Sequence, residues 1–258
     1  MNDTEREAYT FLLPILNSIP PAQSRPTITL TYASSLDGLI SGPNGRQLAL
    51  SGRESFIMTH ALRALHDGIL VGIGTVLNDN PSLTVRLVEY LSNGDKISDI
   101  VNYKHPRPIL LDTRLRTPVE CTLMARNPII VTDTQNLINN RQRVVELESG
   151  GAVMLPCPVI DGRLDLPSVL DVLKNTYGIK SIMIEGGASV IRTMLVHHPH
   201  VVDTAIVTIA PLYVGNGVHV MGLDRTGSSD ELLMPKLEDV IYRQFGKDIV
   251  LAARIQRT

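Results

Sequence analysis

The sequence predicts an α/β protein built on a mixed sheet, mostly parallel, with helices on both faces and an antiparallel hairpin at its C-terminal side. Three observations carry this reading. Short strands that are apolar at nearly every position alternate with helical patterns through the middle of the chain, as a parallel sheet covered on two sides requires. The last two strand-like segments are joined by Gly246-Lys247 alone, and so short a connection forces antiparallel pairing. No linker, composition shift or repeat divides the 258 residues, so residues 1–258 are expected to form one domain, an N-terminal helix and arm over 1–25 preceding a core over 26–258.

In chain order, residues 3–18 place Ala8, Phe11, Leu12, Ile15 and Leu16 on one helical face, with Asp3 or Thr4 as N-cap, and PPAQSRP ends the helix. TITLTYA (27–33) is rich in β-branched residues and reads as a strand, whereas 34–52, dense in Ser, Gly, Pro and Asn, reads as a long loop. Loops of that length often carry function. Residues 53–66 return to helical spacing, and GILVGI (68–73) is an apolar strand. Strands are predicted at 108–112, 128–132, 152–156 and 181–185, with helices at 119–126, 136–147 and 167–177 between them. TAIVTIAP (204–211), LEDVIYRQF (237–245) and DIVLAARI (248–255) complete the sheet.

Composition narrows the function. Charged residues make up 19% of the chain and the formal net charge is -2, so the basic field that duplex nucleic acid needs is missing. Cys121 and Cys157 fit neither a disulfide framework nor a metal-ligand spacing and are expected as buried thiols, with no metal. MNDTEREAYT has no signal-peptide pattern and no run reaches membrane-span length, so a soluble cytoplasmic protein with no nucleic-acid or membrane partner is expected. The sequence contains no GxSxG, GxxxxGK[ST] or HExxH motif and no HxE paired with PCxxC. With no evident nucleophile, a cofactor is expected to carry the chemistry.

SIMIEGGASVIRTML places Gly186-Gly187 between a strand ending at Glu185 and a helix starting at Ala188 and Ser189. Exposed N–H groups and the helix dipole make such a turn a candidate diphosphate cradle, although a plain tight turn reads equally well. A branched side chain at Gly186 is expected to enter that seat. ILVGIGTVLNDNPSLTVR likewise runs from a strand into Gly72, Gly74 and Thr75, then a short turn containing Asp79 and Pro81, so that Gly74, Thr75, Glu185 and Gly186 are expected around one crevice at the carboxyl ends of the strands. Arg86 and Arg63 read either as surface charges or as phosphate or carboxylate ligands. In LLDTRLRTP, Thr113, Arg114 and Arg116 form either a seat for a ribose 2′-phosphate or a basic surface loop. Asp37 reads as a turn residue or as the organiser of a loop over the site.

Taken together, TYASSLDGLISG, LRALHDGILVGIGTVLNDNPSLTVR, PRPILLDTRLRTP and IMIEGGASVIRTML closely resemble the riboflavin-biosynthesis reductase family, from about residue 26 onward. The resemblance implies a dihydrofolate-reductase-like fold, a homodimer, and NADPH as hydride donor to the phosphoribosyl group of an aminopyrimidine. The zinc motif of the bifunctional relatives' deaminase domain is absent here, so the resemblance is to the reductase alone. Carried over to this sequence, it implies cofactor contacts at Thr75, Asp79, Thr113, Gly186, Gly187, Ala188 and Ser189, with Ile160 beside the adenosine half. It implies substrate contacts at Leu83, Arg86 and Glu185, with Arg63 and Ser55 as further candidates, and Glu185 or a bound water as proton relay. The alternatives are a pterin reductase of the same fold and a non-catalytic NADPH-sensing module.

Overall fold

The computed structural model describes residues 3–86, 104–220 and 235–256. Helix α1 (Asp3–Asn17) precedes strand β1 (Thr27–Ser35). The stretch predicted as one loop contains strand β2 (Leu39–Ser41) and a 3-10 turn at Pro43–Gly45, because three residues are too few to show a period. Helix α2 (Arg53–Ala64) leads to β3 (Gly68–Gly72), which passes straight into α3 (Ile73–Asp79), where the sequence predicts only a turn. After β4 (Arg107–Leu111), the helix predicted over 119–126 is a 3-10 turn, Thr122–Arg126, stopped by Asn127 in the left-handed region at φ 48°. β5 (Ile129–Asp133) is followed by two helices, α4 (Thr134–Asn139) and α5 (Arg141–Ser149), in place of the single one predicted. Asn140, at φ -120° and ψ 47°, breaks them apart.

Strand β6 (Val153–Cys157), the small hairpin β7 (Val159–Ile160) and β8 (Arg163–Leu164), and α6 (Pro167–Asn175) lead to β9 (Ser181–Glu185). Helix α7 (Ala188–Arg192) continues as a π-helical turn through His197. β10 (Thr204–Ala210), β11 (Val218–His219), β12 (Leu237–Phe245) and β13 (Asp248–Ile255) complete the chain.

Nine strands form the main sheet in the order β12-β13-β10-β1-β9-β3-β4-β5-β6. Every pairing from β10 to β6 is parallel, and β13 runs antiparallel to both β10 and β12, as predicted. Side-chain alternation explains why these strands are apolar throughout. Ile69, Val71, Leu110, Ile130 and Met183 join one core with α1, α2 and α5, while Leu70, Ile109, Ile129, Ile182 and Ile184 join another with α6 and α7. Helix α1 belongs to the first core, its Phe11 ring meeting Phe245 edge-on at 5.6 Å. β9 returns late in the chain to lie between β1 and β3. That arrangement gathers the carboxyl ends of the three strands, the position at which open parallel sheets hold ligands.

Candidate active site

Two helices start side by side at this edge: α3 from Gly72 and α7 from Gly187, neither with a side-chain cap. Their first N–H groups are therefore left for a ligand. The glycines divide into two kinds. A Cβ on Gly72 would lie 2.8 Å from Val190 Cγ2, and one on Gly186 would lie 2.7 Å from Val190 Cβ. These two are glycine so that α7 can pack onto the strand ends, which corrects the expectation that a side chain at Gly186 would fill the phosphate seat. A Cβ on Gly74 would meet nothing within 4 Å, and one on Gly187 would meet only Thr75 Oγ1, at 3.5 Å. These two face open space.

That space is a cavity of about 650 Å³, within the range of small-ligand sites. Its lining brings together Gly74, Thr75, Asp79 and the run Glu185, Gly186, Gly187, Ala188 and Ser189. Phe56 of α2 and residues 47–51 line it as well. A second cavity of about 350 Å³ shares Gly72, Gly74, Ser189 and Val190 with the first, and holds Thr113 and Arg116.

Around Glu185 the geometry is built from α2. Phe56, His60 and Arg63 recur at helical spacing along one face of α2. Arg63 donates through Nε to Glu185 Oε1 at 3.0 Å, through Nη2 to Oε2 at 2.5 Å, and through Nη1 to the Thr84 carbonyl at 2.9 Å. His60 Nδ1 accepts the Arg86 N–H at 2.7 Å, which places the proton of the neutral ring on Nε2. Burial, then Arg63 and Arg86, lower the His60 pKa to about 3. Arg126 donates to the carbonyls of Ser82 and Leu83, and His105 accepts the Val85 N–H. The run 82–86 is thus braced by four side chains. Arg86 emerges from it exposed, its guanidinium 5.9 Å from the centroid of the Phe56 ring, which itself lines the first cavity.

The Asp37 carboxylate accepts from the Ser35 hydroxyl and from the N–H groups of Gly215 and Val214, and these bonds hold its pKa down at about 2. It ties the turn after β1 to the segment ahead of β11, which pairs with β2; Ile40 and Val218 of that pair line the first cavity. Partial burial raises the pKa of Asp79.

Six candidates line neither cavity: Arg63 and Arg86, whose contacts are given above, and Ser55, Leu83, Ile160 and Arg114. Ser55 is buried and donates to the carboxylate of Asp248, which also takes the Gly52 N–H and so fastens the start of α2 to the terminal hairpin. Leu83, at φ 51°, is buried in the core. Ile160 lies exposed on the β7–β8 hairpin, and Arg114 is exposed next to Thr113. Sequence reasoning missed the Arg63–Glu185 pairing, His60, Arg126 and Arg163, the last on the hairpin and lining the second cavity. Residues 122 positions apart carry no spacing signal for an ion pair.

Residues 26–251 match the family model described as the RibD C-terminal domain. The chain belongs to the RibD C-terminal domain family. Among relatives of this RibD-type chain, the 2,5-diamino-6-ribosylamino-4(3H)-pyrimidinone 5′-phosphate reductase of Candida glabrata is 34% identical over 241 residues, covering 90% of each chain. The enzyme of the same name from Debaryomyces hansenii is 35% identical over 247 residues, covering 91% of this chain and 92% of its own. The solved riboflavin biosynthesis reductase of Saccharomyces cerevisiae aligns with a TM-score of 0.71 at 29% identity, over 97% of this chain and all of that one. Helix α1 lies ahead of the family match. Among the described residues no helix is long and apolar enough to cross a membrane, and no His, Cys, Asp and Glu cluster could hold a metal ion.

Proposed function

We propose that this RibD-family protein reduces the ribosyl group of 2,5-diamino-6-ribosylamino-4(3H)-pyrimidinone 5′-phosphate to a ribityl chain, with NADPH as the reductant. The observation that carries the reading is the convergence of two uncapped helix starts, at Gly72 and Gly187, on one cavity that also holds the carboxylate of Glu185. The named relatives support it. The donor set suits a dinucleotide: backbone N–H groups of α3 and α7, the hydroxyls of Thr75 and Ser189, and room at Gly74 and Gly187 for a diphosphate. When bound, NADPH supplies the hydride that reduces sugar C1′.

The chain's own residues do the rest. Arg63 occupies one lone pair on each Glu185 oxygen, leaving the others to accept hydrogen bonds from substrate hydroxyl or amino groups and to relay a proton, directly or through water. Arg86, exposed beside Phe56, takes the 5′-phosphate, for which a guanidinium fork is suited. Asp37 holds the β2–β11 pair beside the cavity. In the homodimer we assign to this protein, the exposed apolar side chains of Leu237, Val240, Ile241 and Tyr242 on β12 find cover. Two buried free cysteines suit a cytoplasmic site of action.

The test follows NADPH absorbance with the pyrimidinone phosphate and, separately, dihydrofolate. Turnover of the phosphate supports the reading. Turnover of dihydrofolate alone makes the protein a pterin reductase, and tight NADPH binding with neither turned over makes it a sensing module.

A further inference from the structure

We infer that His60 is a positioning residue for substrate recognition: its Nδ1 fixes the backbone of Arg86, so that one turn of α2 sets where the phosphate-binding guanidinium stands relative to Glu185. The inference rests on the assignment of the substrate's 5′-phosphate to Arg86 under the proposed function, and adds a residue that acts through Arg86 rather than on the substrate.

His60 is fully buried, and its Nδ1 accepts the Arg86 N–H at 2.7 Å. Its Nε2, equally buried, has no hydrogen-bond partner among the described residues. A core imidazole that leaves one donor unsatisfied costs stability, a cost that an apolar side chain at this position would avoid. What the ring supplies in exchange is the acceptor on Nδ1. A protonated imidazole has no lone pair left to accept an N–H, so the bond requires the neutral ring. Burial and the charges of Arg63 and Arg86 keep it neutral.

The other braces of the 82–86 run act elsewhere on it: Arg126 on the Ser82 and Leu83 carbonyls, Arg63 on the Thr84 carbonyl, and His105 on the Val85 N–H. His60 holds the residue that carries the guanidinium. Its ring is backed by Phe56, at 4.3 Å between centroids, and the same Phe56 ring lies 5.9 Å from the Arg86 guanidinium. One residue of α2 therefore holds the backbone of Arg86, and another, a turn earlier, meets its head group. Arg63, three residues beyond His60, grips Glu185 through Nε at 3.0 Å. Three residues of an α-helix advance about 4.5 Å along its axis. Helix α2 thus acts as a rigid spacer between the carboxylate assigned to the reacting end of the substrate and the guanidinium assigned to its phosphate. The spacer is anchored at its start, where Asp248 Oδ2 accepts the Gly52 N–H at 2.7 Å.

Steady-state kinetics of the full chain with NADPH and either the pyrimidinone 5′-phosphate or its dephosphorylated riboside test the role. His60→Leu removes the acceptor, His60→Gln carries its polar end to the place of Nε2, and His60→Asn keeps an acceptor near Nδ1. His60→Leu and His60→Gln should each raise the KM for the phosphate about five- to tenfold, with kcat and the KM for NADPH within about twofold of wild type. The riboside's kcat/KM should not change, and His60→Asn should restore the KM for the phosphate. In an Arg86→Ala background His60→Leu should add nothing to that KM, a non-additivity that a merely structural residue would not show. If His60→Leu and His60→Gln keep the thermal transition and the wild-type KM for the phosphate, or if their effects add to that of Arg86→Ala, the positioning role is overturned while Arg86 and the reaction stand. An Arg86→Ala variant with an unchanged KM for the phosphate removes the phosphate contact, and wild type that turns over neither compound removes the reaction; either result takes the role of His60 with it.

Discussion

Arg63 grips both oxygens of Glu185 with its guanidinium fork, at 3.0 Å and 2.5 Å, and spends its remaining edge on the Thr84 carbonyl. One side chain thereby fixes the carboxylate at the end of β9 and joins it to the run that delivers Arg86. Both partners are largely out of solvent, at 11% and 21% exposure. A double-mutant cycle with Arg63→Ala and Glu185→Ala, read by urea unfolding, should give a coupling energy of about 1–3 kcal/mol. Arg63→Lys should recover little of it, since an ammonium lacks the planar fork. Additive single variants would contradict the pairing.

The two kinds of glycine at the strand ends separate folding from binding. Gly74→Leu adds a helix-forming residue in open space within α3, so its thermal transition should not fall while NADPH affinity drops at least tenfold. Gly186→Ala drives a methyl against Val190 and should destabilise by roughly 1–3 kcal/mol. Calorimetry of both variants, with and without NADPH, decides the assignment; a stable Gly74→Leu with wild-type affinity would remove Gly74 from the cradle.

Arg86→Ala should act on the substrate's phosphate and leave the cofactor alone. A charged hydrogen bond of about 1.5–3 kcal/mol corresponds to a KM for the pyrimidinone phosphate raised roughly tenfold or more. The KM for NADPH should stay within about twofold of wild type. Equal effects on both would move Arg86 out of the phosphate contact.

Two buried histidines make stability depend on pH. Burial lowers His60 to about 3 and His66 to about 4, from 6.5 for a free imidazole; for His66 the hydrogen bond to the Leu62 carbonyl and the charge of Asp67 oppose the shift. The unfolded chain takes up protons below 6.5 that the folded protein refuses, so the stabilisation is whole above that pH and declines as pH falls toward 4. The slope should reach up to about 1.4 kcal/mol per pH unit for each histidine. Asp37, held at about 2, acts only at lower pH and leaves this window clear. Urea unfolding at several pH values should show the decline, and His60→Asn, which keeps an acceptor near Nδ1, should flatten it. A stability unchanged between neutrality and pH 5 would contradict the neutral, buried assignment.

The sheet was legible because its strands carry apolar residues on both faces, and the hairpin because Gly246-Lys247 admits one geometry. Strands β2, β7, β8 and β11, two or three residues each, escape any count of periodicity. At the site, the strand–glycine–helix unit at Gly186 could be read locally, and so could the strand and glycines at Gly72, but not the seven-residue helix α3 that follows them. The division of labour among their glycines could not, because it depends on where Val190 lands when α7 folds back. His60 reads as one more residue of an amphipathic helix until Arg86 arrives beside it. Arg116 and Arg163, 47 positions apart, line one cavity only because the hairpin after β6 and the turn after β4 open onto it.

The most direct test of the central claim is a crystal structure of the full chain with NADPH bound. The account predicts diphosphate density against the backbone N–H groups at the starts of α3 and α7, beside Gly74 and Gly187, with the adenosine end toward Arg116 and Arg163 and the nicotinamide toward Glu185. NADPH seated elsewhere, with both helix starts bare, would contradict it.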